Sequence, residues 1–192
     1  MAKSRAVFLD RDGVIVEQTE GYVNRPEDLV FVPRAPEAIA RLNACGLPVI
    51  VATNQAGVAK GFLTLATLDA IHDRLREELA RHGARLDAIY ACPHFPEATV
   101  PELARDCDCR KPGTGMLEQA ARDLGLNLET SYLVGDMTAD LLAGKRAGCR
   151  TILVKTGFGG SDGRYEVEAD LVASDLFAAV ELILAEVAAC KA

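Results

Sequence analysis

The sequence predicts an α/β fold with a doubly wound, mostly parallel sheet and helices on both faces. Two observations support this fold class. Short apolar runs of strand length recur along the 192-residue chain, and segments with apolar residues at helical spacing separate them. Strands that alternate with helices are typical of a parallel sheet covered on both sides. The length suits one domain, residues 1–192, with small insertions.

Six apolar runs are the predicted strands. They are short and mostly aliphatic, as buried parallel strands are. The last run is the weakest of the six. In chain order the strands are predicted at Ala6–Leu9, Leu47–Ala52, Leu86–Ala91, Tyr132–Val134, Thr151–Val154 and Asp170–Ala173.

Five segments have the spacing of helices. Gly46 ends the first, Thr64 is a suitable N-cap for the second, and Gly83 is a suitable stop for it. The apolar stripe of the last one predicts packing against the core. The helices are predicted at Pro36–Cys45, Thr64–His82, Thr114–Leu124, Ala139–Ala147 and Ser174–Ala189.

Two segments interrupt the alternation and are predicted to be insertions at the active edge of the sheet. The first, residues 17–33, is expected to cover the mouth of a site on the substrate side. The second, residues 92–112, contains clustered cysteines.

Composition excludes several classes of protein. The formal net charge of −7 argues against a general nucleic-acid binder, which normally has a basic face. No apolar run approaches the ~20 residues that a membrane span needs. The first residues lead directly into a strand and leave no room for a signal peptide. We therefore expect a cytoplasmic monomer with neither a nucleic-acid nor a membrane partner.

The first predicted strand leads into two carboxylates, Asp10 and Asp12, within the run F-L-D-R-D-G. Gly13 lets the backbone turn away. Ligands of doubly wound sheets bind at this carboxyl end of the strands. Of two acids around one small volume, one can be a nucleophile and the other can carry a proton.

Three further groups suited to phosphate chemistry follow later strands. Thr53 begins a loop that contains glycines, and its hydroxyl can hold phosphate oxygens together with backbone amides. Arg110 and Lys111 are adjacent cations that can neutralise a transferring phosphoryl group. Asp136 ends the fourth strand, where it can join Asp10 in an oxygen site for Mg²⁺.

Each of these groups, taken alone, also has an ordinary structural interpretation. Asp and Gly are common in turns, Asn54 can form an Asx turn, and an Arg-Lys pair is often solvated surface. Asp140 is favourable in a first helical turn without any ligand, so it is expected to be a supporting residue. The combination therefore carries the prediction.

Four soft ligands cluster in the second insertion and predict a zinc site. Cys92 and His94 are followed by twelve residues and then by Cys107 and Cys109. A Cys₃His set is a closed tetrahedral site, which is structural rather than catalytic. Because Cys109 directly precedes Arg110, the zinc is expected to fix the loop that directs both cations toward phosphate.

Asp10, Thr53, Lys111 and Asp136, at successive strand ends, resemble the four motifs of the haloacid dehalogenase (HAD) superfamily of phosphatases. The resemblance implies that Asp10 forms an aspartyl-phosphate, and that Asp12 protonates the leaving group and then activates water. It implies that Thr53 and Lys111 orient and neutralise the phosphoryl group. Mg²⁺ would be held by Asp10, the backbone carbonyl of Asp12, and Asp136.

Together with the zinc loop, the runs F-L-D-R-D-G, T-N-Q-x-G and C-D-C-R-K-P resemble the D-glycero-D-manno-heptose-1,7-bisphosphate 7-phosphatase family. The resemblance implies a fold without a large cap domain and a small phosphorylated sugar as substrate. Its product would feed nucleotide-activated heptose synthesis, ADP- or GDP-linked, as used for the lipopolysaccharide core. Beyond the catalytic residues, the implied substrate contacts are Arg11, Thr19, Glu20, Gly21, Tyr22, Asn54, Gln55, Ala56 and Arg110.

Three other functions remain open from the sequence. Histidinol-phosphate phosphatase shares these motifs and a zinc loop, although its ligand pairs usually stand closer together than the twelve residues here. A receiver-type signalling domain also accepts phosphate on an aspartate, but Asp12 is available to speed hydrolysis. A zinc-knuckle binding module with a vestigial site is disfavoured because every catalytic position is filled.

Overall fold

The computed structural model describes residues 4–18 and 21–189, so Thr19 and Glu20 lie outside the described residues. Within them, six parallel strands form one sheet in the order β3-β2-β1-β4-β5-β6. The chain starts at the centre, builds one side, and returns to place β4 beside β1. The strands are β1 (Val7–Leu9), β2 (Val49–Asn54), β3 (Ala88–Cys92), β4 (Tyr132–Gly135), β5 (Arg150–Val154) and β6 (Leu171–Ala173).

Helices cover both faces, which confirms the predicted fold class. They are α1 (Ala35–Ala44), α2 (Ala56–Ala59), α3 (Leu65–Arg81), α4 (Gly115–Leu124), α5 (Thr138–Ala147) and α6 (Leu176–Ala189). Single 3₁₀ turns lie at Pro26–Asp28, Pro101–Leu103 and Leu128–Thr130.

Alternation along the strands divides the core between the two faces of the sheet. In β1, Val7 and Leu9 join the cluster beneath α1, α3 and α6, whereas Phe8 joins the cluster beneath α4 and α5. All three residues are fully buried. This period of two places Asp10 at the carboxyl edge between the two helical layers.

Two differences from the predicted elements lie at the end of β2 and directly after it. The strand was predicted to end at Ala52, but it extends through Thr53 and Asn54, because these residues pair with Ala91 and Cys92 of β3. The residues that follow form α2 rather than a loop. A four-residue helix is too short to show a 3.6-residue period in the sequence.

The capping predictions for α3 are confirmed. The Thr64 side chain accepts a hydrogen bond from Thr67 N at 3.0 Å at the start of the helix. Gly83, two residues beyond its end, has φ 71°, a left-handed conformation that favours glycine.

Candidate active site

Polar residues at the carboxyl ends of the strands line a pocket of about 620 Å³. Asp10 follows β1 and Asp136 follows β4, the strands between which the strand order reverses. Ligands of doubly wound sheets bind at this switch point. Lys111 reaches the same place from the segment before α4. The fold therefore brings together three of the residues singled out in the sequence.

The Lys111 ammonium lies between two carboxylates. Nζ is 3.1 Å from Asp10 Oδ1 and 2.6 Å from Asp140 Oδ1, and it donates to the Ala52 carbonyl at 2.7 Å. Burial opposes its positive charge, but the two carboxylates outweigh burial and raise its pKa. Lys111 is therefore a fixed cation beside Asp10.

Three buried carboxylates share this one ammonium: Asp10, Asp136 and Asp140. Burial raises the pKa of Asp136 to about 8, and repulsion from the other two acts in the same direction. Burial also raises the pKa of Asp10 to about 6, although Lys111 opposes the shift. The cluster holds more carboxylates than Lys111 can neutralise, which is typical of a cation site.

Asp136 and Asp140 use their oxygens differently. Asp136 Oδ2 accepts from Phe158 N at 2.8 Å, but its buried Oδ1 has no hydrogen-bond partner among the described residues. Asp140 pairs one oxygen with Lys111 and the other with Met137 N at 3.0 Å. The unpartnered oxygen of Asp136 fits a Mg²⁺ ligand, whereas Asp140 orients Lys111 and caps α5.

Two glycines allow the backbone to approach Asp136 closely. Gly13 has φ 79° and Gly157 has φ 60°. A Cβ at Gly13 would lie 2.3 Å from Asp136 Oδ2, and a Cβ at Gly157 would lie 2.2 Å from the same atom. Any side chain at either position would displace the carboxylate.

Asp12 is held by a buried network. Arg11 Nε donates to Asp12 Oδ1 at 3.0 Å, and Arg11 Nη2 donates to Oδ2 at 2.9 Å. Gln55 Nε2 also donates to Oδ2 at 2.9 Å. Behind them, Arg11 Nη1 lies 3.3 Å from His72 Nε2. Burial and the charge of Arg11 lower the pKa of His72 to about 4, so His72 is neutral and accepts from Arg11.

The side chains of Arg11 and Gln55 do not line the pocket, and the expectation that these residues contact the substrate stays a prediction. Arg11 is 1% exposed and lies behind Asp12. Gln55 bridges Arg11, Asp12 and the Thr53 hydroxyl, which it reaches at 2.9 Å. Both side chains therefore hold Asp12 in position. A bidentate guanidinium fixes a carboxylate in one plane.

Asn54 connects the end of β2 to Lys111. Its Nδ2 donates to the Lys111 carbonyl at 3.0 Å, and its Oδ1 accepts from Lys111 N at 3.0 Å. Asn54 and Ala56 also line the pocket, as do Gly21 and Tyr22 of the first insertion and Arg110. The predicted covering segment thus reaches the site through its described residues.

The four soft ligands converge as predicted. Their ligand atoms all lie within 4.8 Å of one another, with Sγ of Cys92 and Cys109 2.9 Å apart and His94 Nδ1 3.3 Å from Cys109 Sγ. Cys₃His is a donor set that zinc prefers. Arg110 Nη1 donates to the His94 carbonyl at 3.3 Å, so the cluster is tied directly to a pocket cation.

The pocket residues missed in the sequence include Phe158 and Arg164, which lie in the irregular connection between β5 and β6, and Met137 and Ala139 at the start of α5. The sequence signal that could have found Phe158 and Arg164 is the density of glycines in T-G-F-G-G-S-D-G-R. Such a run favours positive φ angles and allows two backbone segments to approach closely.

Known proteins resemble nearly the whole chain. It is 44% identical over 191 residues to D-glycero-D-manno-heptose-1,7-bisphosphate 7-phosphatase of Thermosynechococcus vestitus, covering 95% of this chain and 97% of the relative. It is 41% identical over 179 residues to D-glycero-beta-D-manno-heptose-1,7-bisphosphate 7-phosphatase of Pseudomonas aeruginosa, covering 93% and 97%. The chain belongs to the heptose-1,7-bisphosphate 7-phosphatase family.

Solved structures agree with membership of the heptose-1,7-bisphosphate 7-phosphatase family. The D,D-heptose 1,7-bisphosphate phosphatase of B. bronchiseptica, crystallised with magnesium and phosphate, matches with a TM-score of 0.85 and 38% identity over 95% of this chain and 99% of that one. The enzyme of Burkholderia thailandensis matches with a TM-score of 0.70 and 33% identity, covering 94% and 99%. A family described as HAD-hydrolase-like matches residues 108–179.

The family as a whole contains phosphatases named for both anomers. A relative in Photorhabdus laumondii, 37% identical over 94% of this chain and 97% of its own length, is named for the alpha anomer. The Pseudomonas aeruginosa relative is named for the beta anomer.

Among the described residues, no helix combines the length and the apolar character that a bilayer-spanning segment needs.

Proposed function

We propose that this protein removes the 7-phosphate of D-glycero-D-manno-heptose 1,7-bisphosphate, with Asp10 as the nucleophile. The observation that carries the proposal is the arrangement around the Asp10 carboxylate. Its Oδ1 accepts from Arg11 N at 2.8 Å and lies 3.1 Å from Lys111 Nζ. Both contacts fall on one oxygen, which leaves Oδ2 for attack on phosphorus.

The reaction has two steps. In the first, an Asp10 oxygen forms a bond to phosphorus, the bond from phosphorus to the sugar O7 breaks, and Asp12 gives its proton to the departing O7. In the second, Asp12 takes a proton from water, the water oxygen bonds to phosphorus, and the acyl-phosphate bond breaks to release phosphate and restore Asp10. Lys111 and the Thr53 hydroxyl neutralise and orient the phosphoryl oxygens.

The carboxylate cluster fits a catalytic Mg²⁺. Asp10, Asp136 and the backbone carbonyl of Asp12 would hold the ion, which when bound screens the negative charge of the phosphoryl oxygens. Asp140 holds Lys111 in place through the 2.6 Å contact with its ammonium. This division of roles follows from the unpartnered oxygen of Asp136 and the fully used oxygens of Asp140.

The Cys₃His cluster is proposed to hold a structural zinc. Because its four protein ligands fill a tetrahedral shell, they leave no position for a reacting water. Cys109 precedes Arg110 and Lys111 in the chain, and Arg110 donates to the carbonyl of His94. Zinc there would position both cations.

Histidinol phosphate is the second candidate substrate from the sequence, and the relatives do not favour it. Those at 37–44% identity over more than nine tenths of the chain are named for heptose bisphosphate. A receiver-like role is also disfavoured, because Arg11 and Gln55 hold Asp12 in position, and the proposed role of Asp12 is to activate the water that hydrolyses the aspartyl-phosphate.

The test is phosphate release at fixed Mg²⁺ from both anomers of heptose 1,7-bisphosphate and from histidinol phosphate. We expect a strong preference for one heptose bisphosphate, loss of release when Mg²⁺ is chelated, and no release by Asp10→Asn, which retains the shape of the side chain. Preference for histidinol phosphate, or a fully active Asp10→Asn, would overturn the proposal.

A further inference from the structure

His72 is a buried titratable residue that the proposed chemistry does not use. It lies in α3, is 6% exposed, and does not line the pocket. A histidine on the buried face of a helix is usually part of the core. A functional interpretation therefore needs a fixed position for the ring and a contact that leads to the site, and the surroundings of His72 provide both.

The packing of α3 fixes the position of the imidazole. Leu68 and Ile71, which precede His72 in the helix, are buried in a cluster with Val58 of α2. Leu75, three residues after His72, belongs to the large core cluster beneath the sheet. Close-packed interiors leave side chains few alternative positions, so Nε2 of His72 is held in one place.

The imidazole contacts the guanidinium that holds Asp12. Arg11 Nη1 lies 3.3 Å from His72 Nε2, and Nε and Nη2 of the same guanidinium donate to the two oxygens of Asp12. Because burial and the charge of Arg11 lower the pKa of His72 to about 4, the ring is uncharged near neutral pH and Nε2 accepts. His72 thus contacts the corner of the guanidinium opposite the edge that binds Asp12.

An uncharged acceptor suits this position. A carboxylate there would compete with Asp12 for the positive charge of Arg11 and would add to the carboxylates already buried at this edge of the sheet. A side chain without an acceptor would leave a buried N–H of the guanidinium unpaired, and an unpaired buried donor is costly enough to shift the group. Neutral histidine pairs with the donor and leaves the charge of Arg11 to Asp12.

We propose that His72 is a positioning residue for the acid–base chemistry: it holds Arg11, and through Arg11 it fixes the Asp12 carboxylate. The inference rests on the proposed function, in which Asp12 protonates the leaving group and activates water. Arg11 contacts Asp10 through its main-chain N–H, 2.8 Å from Oδ1, whereas it contacts His72 through its side chain. Loss of the acceptor should therefore slow the steps that need Asp12 and spare the attack by Asp10.

The test separates the two steps with an aryl phosphate, whose leaving group needs no proton. With enzyme in excess over substrate and Mg²⁺ fixed, phenolate release measures the first step and phosphate release measures the second. His72→Leu removes the acceptor and should lower the rate of phosphate release roughly tenfold, with phenolate release within about twofold of wild type. His72→Gln keeps an acceptor and should keep both rates near wild-type values.

His82→Leu is the matched control, because His82 is exposed and is the C-cap of the same helix. It should leave both rates unchanged. Equal slowing of the two steps in a folded His72→Leu would show a structural role alone and would overturn the inference, as would unchanged rates. A folded His72→Gln with phosphate release slowed tenfold would also overturn it, whether or not His72→Leu folds.

The proposed function fails on a different result. If the wild type releases no phosphate from heptose 1,7-bisphosphate, the proposed substrate is wrong, and the rates with the aryl phosphate still test His72. If the wild type releases phosphate from neither substrate, the proposed function and the inference are both overturned.

Discussion

Arg11 holds the Asp12 carboxylate in a bidentate contact, with Nε 3.0 Å from Oδ1 and Nη2 2.9 Å from Oδ2. The guanidinium is buried and lies behind the acid. Asp12, the proposed general acid and base, is thus fixed by Arg11, its neighbour in the chain. Arg11 contacts Asp12 from the side that faces away from the pocket.

Replacing Arg11 by lysine tests this arrangement. Arg11→Lys keeps the charge but removes the fork that orients Asp12, so kcat should fall roughly ten- to hundredfold while KM changes little. Steady-state kinetics with heptose bisphosphate measure the split. A rise in KM at unchanged kcat would instead support direct substrate contact by Arg11.

Asp12→Asn separates the two chemical steps. An aryl phosphate has a leaving group that needs no proton, so the first step should remain fast while hydrolysis of the acyl phosphate slows about 10²–10⁴-fold. Rapid-quench measurement should show a burst of phenolate close to one per active site. With heptose bisphosphate both steps should be slow and no burst should appear. Equal steady-state rates in wild type and Asp12→Asn would contradict the role of Asp12.

His72 gives the stability a specific dependence on pH. Burial and the charge of Arg11 hold its pKa in the folded protein at about 4, below the usual histidine value of 6.5. Between pH 6.5 and 4 the unfolded chain binds a proton that the folded chain does not, so the folded state loses stability as the pH falls. The full loss is roughly 3 kcal/mol, and above pH 6.5 it is absent.

His72→Gln isolates this contribution, because glutamine can still accept from Arg11 but does not titrate. Urea unfolding at several pH values should show wild type losing stability relative to His72→Gln between pH 6.5 and 4. The other histidines are present in both proteins, so their contributions cancel. Parallel curves for the two proteins across this range would show that folding does not lower the pKa of His72.

Loss of the proposed zinc should lower activity, because Arg110 of the pocket donates a hydrogen bond to the carbonyl of His94 in the cluster. Cys109→Ser should release the metal, lower the midpoint of thermal unfolding, and reduce kcat/KM roughly tenfold. Metal analysis and kinetics on the same preparation test both effects. Cys45→Ser is the control, because Cys45 is exposed and outside the cluster. A zinc-free Cys109→Ser with wild-type kcat/KM would contradict the proposal that the cluster supports catalysis.

Much of the fold was predictable because buried strands and helices carry apolar residues at regular spacing in the sequence. The aliphatic runs that became β1 to β5 are buried or partly buried, and helical spacing located the five longer helices of the part of the chain that the structure describes. The position of Asp10 followed from its place after such a run. The helix α2 could not be predicted, because its four residues are too few to show a helical period.

Side-chain directions within the site were not predictable. In D-R-D-G, nothing in the letters shows that Arg11 is buried against His72, which comes from α3 some sixty residues later. Asp140 was expected only as a supporting acid, and its contact with Lys111 depends on how α5 meets the segment before α4. Arg164 lies in an irregular connection whose path is set by hydrogen bonds to Thr138.

The central claim is that the phosphate at O7 is the one transferred. Phosphorus NMR of wild-type protein acting on heptose 1,7-bisphosphate tests it most directly, because the two phosphates give separate signals. We predict that the signal of the 7-phosphate disappears, inorganic phosphate appears in equal amount, and the anomeric phosphate remains. Loss of the anomeric signal, or two intact signals under conditions that preserve Mg²⁺, would contradict the account.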